Sequence, residues 1–392
     1  MQARRFIVFT LGWIILVLGA EAQETVNRLS SGKKMVEYGW DTPTPSFIVD
    51  HLSEMEKRPF DGVLFHLECK GNVFEPHPLD EARLSKDLDA ISRIQWGTFT
   101  DNFLMMYAAS DQDWFNDSHW EAIEHNTRLV SRAARQAKCA GVCFDPEPYG
   151  ANPWSYTSAP HKDERTFAEY EAIARKRGRQ FIQAIELEFP DPRILTFFQM
   201  SLFLSLFEPA TDQARKEDLA ERTYALLPAF LEGMLEGAGS HVEIIDGNEN
   251  AYYYTNALSY FDSYLGVTQR ARRALTPEIW PAYAAKVKMG QALYIDQYYG
   301  LRQTTKTLGN VMSPDEQAKW MEHNAYWALY TTDRYVWCYS ERMNWWTGTD
   351  LPPGAEQAIR NARAAIDAGD PLSFELGPII EAAKAKDREN KR

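Results

Sequence analysis

The sequence predicts an α/β fold of one domain, a (β/α)8 TIM barrel, and three observations predict it. From residue 33 onward, short runs rich in β-branched and aromatic residues alternate with longer helical patterns. The alternation repeats eight times, and no low-complexity tract, internal repeat or Ser/Gly linker divides residues 33–370. The first strand runs into Trp40-Asp41-Thr42-Pro43, and neither GxGxxG nor GxxxxGK(S/T) occurs, so the Gly-rich phosphate turn of an open doubly wound sheet is missing. Eight successive strand-then-helix units close a parallel sheet into a barrel.

The eight strands are expected at Met35–Trp40, Gly62–Glu68, Phe103–Ala109, Gly141–Asp145, Ile194–Gln199, His241–Asp246, Ala292–Asp296 and Tyr335–Ser340. Between them, apolar residues at three- and four-residue intervals predict helices over Ser46–Lys57, Leu84–Ile94, Trp120–Ala137, Asp163–Glu186, Asp218–Glu236, Asn256–Ala274 and Ser313–Thr331. Asp163 and Ser313 stand where N-caps are expected. Pro277 and Pro281 interrupt the stretch before the seventh strand, which predicts a bend or a pair of helices there. Residues 371–392 read as a C-terminal helix or charged tail.

At the other end, Arg4 and Arg5 precede an apolar run from Phe6 to Leu18 and then small residues ending in Ala20-Glu21-Ala22, the layout of a secretory signal peptide over residues 1–22. A linker over 23–32 would follow. The apolar run is shorter than the ~20 residues a spanning helix needs, and no Cys near Ala22 offers a lipid anchor. The expectation is a secreted or periplasmic protein with no membrane contact after cleavage. Its formal charge of -13 becomes one unit more negative on cleavage, a poor match for nucleic acid. Of the four cysteines, Cys69, Cys139, Cys143 and Cys338, three fall in or beside apolar strand-like runs, where buried free thiols are expected; an exported protein also leaves a disulfide open.

In a barrel of this kind the chemistry gathers where strands run into their following loops. The fourth strand ends Gly141-Val-Cys-Phe-Asp145-Pro-Glu147-Pro-Tyr149-Gly, and the period of two puts Asp145 and Glu147 on one face. Two acids that close disfavour double ionisation, so one keeps a proton near neutral pH; Glu147, the outer one, is the candidate general acid. The sixth strand ends in Asp246, followed by Asn248, Glu249 and Tyr252 to Tyr254, and the eighth is followed by Glu341, Asn344, Trp345 and Trp346. Glu341, Asp246 and Glu249 are therefore alternative second carboxylates. Trp40, Asp41, His66, Gln199, Asp296 and Tyr298 stand at other strand ends, and Tyr149 and Trp154 in the loop after the fourth.

Sugars present hydroxyls at the ring edge and a C–H face that packs on aromatic rings, so a glycan site needs both side-chain types found here. Trp40, Tyr149, Trp154, Tyr252, Trp345 and Trp346 are expected to line subsites, with Asp41, His66, Gln199 and Asn248 binding hydroxyls. His66 with Glu68, and His119 with His125, match no metal-ligand spacing, so no metal and no cofactor is expected. No GxSxG elbow is present, which removes serine-hydrolase chemistry.

The Phe144-Asp145-Pro146-Glu147 ending of the fourth strand resembles barrel glycoside hydrolases, which commonly place the general acid after that strand; chitinase-like families also end it in D-x-E. Here Gly141 and Cys143 occupy the face where those families carry further aspartates, so the resemblance is partial. It implies a carboxylate-dependent hydrolase acting on poly- or oligosaccharide. A glycan-binding barrel without catalysis is the alternative; a lyase acting on acidic polysaccharide would want a basic cleft, which the charge opposes.

Overall fold

A computed structural model describes residues 32–69, 71–302 and 306–391, so the expected signal peptide and nearly all of the expected linker lie outside the described residues. Its sheet is wholly parallel and has nine strand segments: β1 (Lys34–Gly39), β2 (Gly62–Phe65), β3 (Phe103–Tyr107), β4 (Gly141–Asp145), β5 (Arg193–Thr196), β6 (Glu243–Asp246), β7 (Val287–Met289), β8 (Gln291–Tyr294) and β9 (Tyr335–Ser340). Neighbours run β7-β6-β5-β4-β3-β2-β1-β9-β8.

Nine segments make eight staves, because β7 and β8 are one stretch of chain broken at Gly290. The first half pairs with β6 through Ile244–Val287 and Asp246–Met289, and the second with β9 through Gln291–Val336 and Tyr294–Tyr339. A Cβ at Gly290 would sit 2.9 Å from Ile245 Cγ2 and 3.1 Å from the Asp246 carbonyl, so a side chain there would press on β6. The expected seventh strand, Ala292–Asp296, therefore starts too late and runs too far: Asp296 belongs to the helix Ile295–Tyr299. Several other strands end sooner than expected, at Gly39, Phe65, Tyr107 and Thr196, since the chain turns away as soon as it clears the barrel rim.

Register fixes which side chains point inward. Val36 pairs with Trp337 and Tyr38 with Tyr339, Phe103 with Gly141 and Tyr107 with Asp145, and Leu195 with Ile245. These residues share the inner face. The alternate residues face the helices, where Phe144, Trp154, Phe181 and Phe230 pack with ring centroids 4.9 to 6.1 Å apart. Each such ring removed from water contributes roughly 2–3 kcal/mol. At the N-terminal end of the barrel the inner face turns polar: Arg193 pairs with Glu243 at 3.1 Å and Arg334 with Asp101 at 3.2 Å.

Among the helices, Pro314–Thr331 starts as expected at Ser313, whose hydroxyl and Glu316 form a reciprocal cap. The helix after β4 spans Phe167–Glu188 and is capped by Thr166 with Glu169, so Asp163 is not its cap. The expected helix Asp218–Glu236 is two, Asp212–Ala220 and Leu227–Gly237. After Ala257–Leu265, capped by Asn256, the chain passes through a π turn at Gly266–Arg270, and the proline-bearing stretch becomes Pro277–Ile279 followed by Trp280–Lys286. Two further helices, Ala355–Ala368 and Gly377–Asn390, close the chain, the last burying Ile380 and Ala383. No helix among the described residues is long and apolar enough to cross a membrane.

Candidate active site

At the C-terminal end of the barrel the inner face opens into a cleft of about 120 Å³ whose walls carry three carboxylates, Glu147, Glu249 and Glu341. Its floor is aromatic. Phe197 stacks on Trp337 at 4.2 Å between centroids, Tyr38 on Tyr339 at 5.4 Å, and Tyr252 on Tyr339 at 5.6 Å with ring planes 10° apart. Every second residue of β1 and β9 is inward, so Tyr38, Trp337 and Tyr339 follow from strand parity alone.

Glu147 sits two residues past the inward Asp145. Its backbone N–H donates to Asp145 Oδ1 at 2.8 Å, and its Oε2 accepts from the Tyr149 hydroxyl at 2.9 Å. Asp145 is fully buried; burial first, and then the charges of Glu147 and Glu249, push its carboxyl well above the usual range. Glu249 reaches the cleft by a different route. Asn248 adopts a left-handed conformation, φ 47°, which turns the chain after β6 back over the barrel into the short helix Glu249–Tyr253. Burial and the Glu147 charge raise the Glu249 carboxyl to about 7. Glu249 and Glu147 line the same cleft, and the raised Glu249 carboxyl makes it a second candidate proton donor beside the expected Glu147.

Glu341 follows β9. Its Oε1 accepts from Tyr294 at 2.8 Å and its backbone N–H donates to Asp296 Oδ2 at 2.8 Å. Asp296 is buried and holds the Glu341 backbone from behind.

The remaining expected positions divide between rim and scaffold. Trp40, 65% exposed, and Tyr149, 58% exposed, stand open at the rim, where Arg342 lies 4.9 Å over the Trp40 ring. Tyr252 lines the cleft. Asp246 is placed elsewhere: it alternates with the inward Ile245, faces the helices, and accepts hydrogen bonds from Gln199 N, Ser201 N and Oγ, and Asn248 N. It ties the end of β6 to the loop after β5 and does not reach the cleft. Asn248 is buried and donates to Gln291 at 2.8 Å, and Gln199 is buried beside Asp246.

Trp154 packs at 5.4 Å from Trp114 in the layer under the helices. Trp345 meets Phe60 edge-on at 5.0 Å, and its backbone N–H is held by Asp41 Oδ2 at 2.7 Å; Trp346 Nε1 donates to the Asp41 carbonyl at 3.1 Å. Asp41 thus anchors the loop after β9 instead of facing a ligand, and the tryptophan pair is core. Tyr298 is buried against Trp320. His66 is half-buried with Nδ1 2.7 Å from the Leu67 carbonyl, outside the cleft lining.

Tyr38, Tyr253, Tyr294, Tyr339 and Arg302 are cleft residues that the strand-end reading did not include among site residues. No group of three or more His, Cys, Asp or Glu side chains among the described residues is arranged to hold a metal ion. All four cysteines are free thiols, three buried and Cys69 exposed.

No protein-family model and no curated protein matches the chain. The solved structures it is similar to include barrel glycoside hydrolases. One is a GH5-4 broad-specificity endoglucanase from Clostridum cellulovorans, 11% identical, with a TM-score of 0.46 over 86% of this chain and 96% of that one. Another is a glycoside hydrolase family 5 enzyme from Prevotella bryantii, 10% identical, TM-score 0.46, covering 87% and 98%. A third is an O-GlcNAc hydrolase mutant from Thermobaculum terrenum, 8% identical, TM-score 0.45; the match covers 91% of this chain but 63% of that protein's length. The barrel architecture of this chain follows from its strand order and register, described above.

Proposed function

We propose that the chain is an exported glycoside hydrolase whose acid–base pair is Glu249 and Glu147. The observation that carries the reading is the placing of Glu249 and Glu147 in one aromatic cleft, with the Glu249 carboxyl raised to about 7 by burial and by the Glu147 charge.

Glycosidic cleavage needs a proton for the leaving oxygen and a carboxylate for the oxocarbenium-like carbon or its attacking water. Glu249 supplies the proton. Glu147, oriented by the Tyr149 hydroxyl and by its own N–H on Asp145, supplies the carboxylate. Buried Asp145, its carboxyl raised well above the usual range, accepts the Glu147 backbone N–H and holds it in place. Tyr252 and Tyr253 offer ring faces to the sugar, and Glu341, braced by Tyr294, accepts hydroxyl hydrogen bonds.

The test is reducing-end release from a panel of polysaccharides by the wild type, Glu249→Gln and Glu147→Gln. Release by the wild type with at least a hundredfold loss in both variants supports the reading. Binding of a glycan by all three proteins with no release by any contradicts it and leaves a glycan-binding barrel.

A further inference from the structure

Among the described residues that line the cleft one is a cation, Arg302, and the hydrolytic pair does not explain its position. Arg302 lines the cleft, with its guanidinium carbon 6.0 Å from the Tyr294 ring centroid, and it is half-buried. Other part-buried arginines of this protein are neutralised by a carboxylate: Arg175 by Glu232 at 2.9 Å, Arg193 by Glu243 at 3.1 Å, Arg363 by Asp61 at 2.6 Å. Among the described residues Arg302 has neither an ion-pair partner nor a hydrogen-bond acceptor, although Glu249 and Glu341 line the same cleft. A part-buried guanidinium without a protein acceptor is free to bind a ligand's, and its planar fork matches a carboxylate or sulfate with two parallel bonds. Neutral hydroxyls do not need such a group. At the rim, Arg342 stacks over Trp40 and adds a second cation on the β9 side of the opening.

We propose that Arg302 recognises an anionic substituent, a carboxylate or a sulfate, on the sugar that binds against Tyr253 and Tyr294. This names the substrate class of the cleft and rests on the glycosidase reading above. The protonated Glu249 makes it electrostatically feasible, because an anion entering the cleft then meets fewer fixed negative charges than the three acids suggest.

The test is calorimetric binding of D-glucuronate, D-glucose 6-sulfate and D-glucose to the full-length protein at pH 6, repeated with Arg302→Gln and Arg302→Lys. The expected result is at least tenfold tighter binding of one anion than of glucose. Arg302→Gln abolishes the preference, and Arg302→Lys restores part of it. Which anion is preferred separates a uronate substrate from a sulfated one. Equal binding of all three sugars, an absence of measurable binding by both anions, or a preference that survives in Arg302→Gln overturns the proposal. No hydrolysis enters this assay, so its outcome is separable from the glycosidase reading. Anion preference without polysaccharide cleavage removes the hydrolase and keeps the site; cleavage of neutral polymers without anion preference does the reverse.

Discussion

The Tyr149 hydroxyl donates to Oε2 of Glu147 at 2.9 Å, and the same glutamate holds its backbone N–H on Asp145 two residues earlier. The carboxylate is thereby fixed from both sides at the lip of the barrel. A hydrogen bond to a charged acceptor contributes about 1.5–3 kcal/mol when shielded, and Tyr149 is exposed enough to place it near the lower end. Tyr149→Phe is expected to lower kcat about tenfold while leaving the thermal midpoint within a few degrees. Steady-state kinetics with calorimetric melting checks both.

Glu249 makes stability depend on pH in a definite direction. Its carboxyl is raised to about 7 in the folded protein from 4.5. Below the lower value both states carry the proton and this group imposes no penalty. As pH rises through the folded value the proton is lost against the native environment, and stability falls by on the order of 3 kcal/mol between about pH 4.5 and pH 8. Glu249→Gln removes this slope: the variant matches wild type at pH 4.5 and exceeds it at pH 8. Urea denaturation at the two pH values measures it, and equal gains at both would contradict the assignment.

Asp145 is a buried acid whose carboxyl burial pushes well above the usual range, and Asn reproduces its shape and its acceptor for the Glu147 N–H. Asp145→Asn is expected to fold with a denaturation midpoint close to wild type. Asp145→Ala leaves that N–H without its side-chain acceptor and opens a small void, costing about 1–3 kcal/mol. Comparing the two by urea denaturation separates the polar role from the volume.

Gly247 admits no side chain. A Cβ there would sit 2.3 Å from the Thr196 carbonyl and 2.7 Å from Trp337 Nε1, whose N–H already donates to the Gly247 carbonyl at 2.8 Å. Gly247→Ala is expected to cost about 1–3 kcal/mol as overpacking and to displace Trp337 from the cleft floor. A shift in tryptophan fluorescence together with a lowered melting temperature would report both.

Much of the barrel was legible because its information is local. Alternating apolar runs and helical periods located all eight staves, and the inward placing of Asp145 followed from the period of two along β4. What local pattern could not supply was the path of the chain beyond the strands. Asp246 and Glu249 are three residues apart, yet strand parity turns the first outward, and the left-handed Asn248 carries the second back over the mouth. Trp345-Trp346 has the composition of a sugar platform, but the loop folds inward onto Phe60 and Asp41, where the rings bury more surface than a rim position allows. Arg302 follows the helix Ile295–Tyr299, whose first two residues the pattern reads as the end of a strand, so nothing in the sequence pointed it at the cleft. Tyr38, Tyr294 and Tyr339 were within reach, since each shares inward parity with a neighbouring stave.

Burial first, and then the Glu147 charge, raise the Glu249 carboxyl to about 7. Carboxyl 13C NMR titration of glutamate-labelled protein, with Glu249 assigned by comparison with Glu249→Gln, measures it directly in the wild type and in Glu147→Gln. The expected result is a midpoint near 7 in the wild type and a lower one in Glu147→Gln, still above the ordinary glutamate range because burial remains. A wild-type midpoint already in the ordinary range, or one near 7 that Glu147→Gln leaves in place, would contradict it.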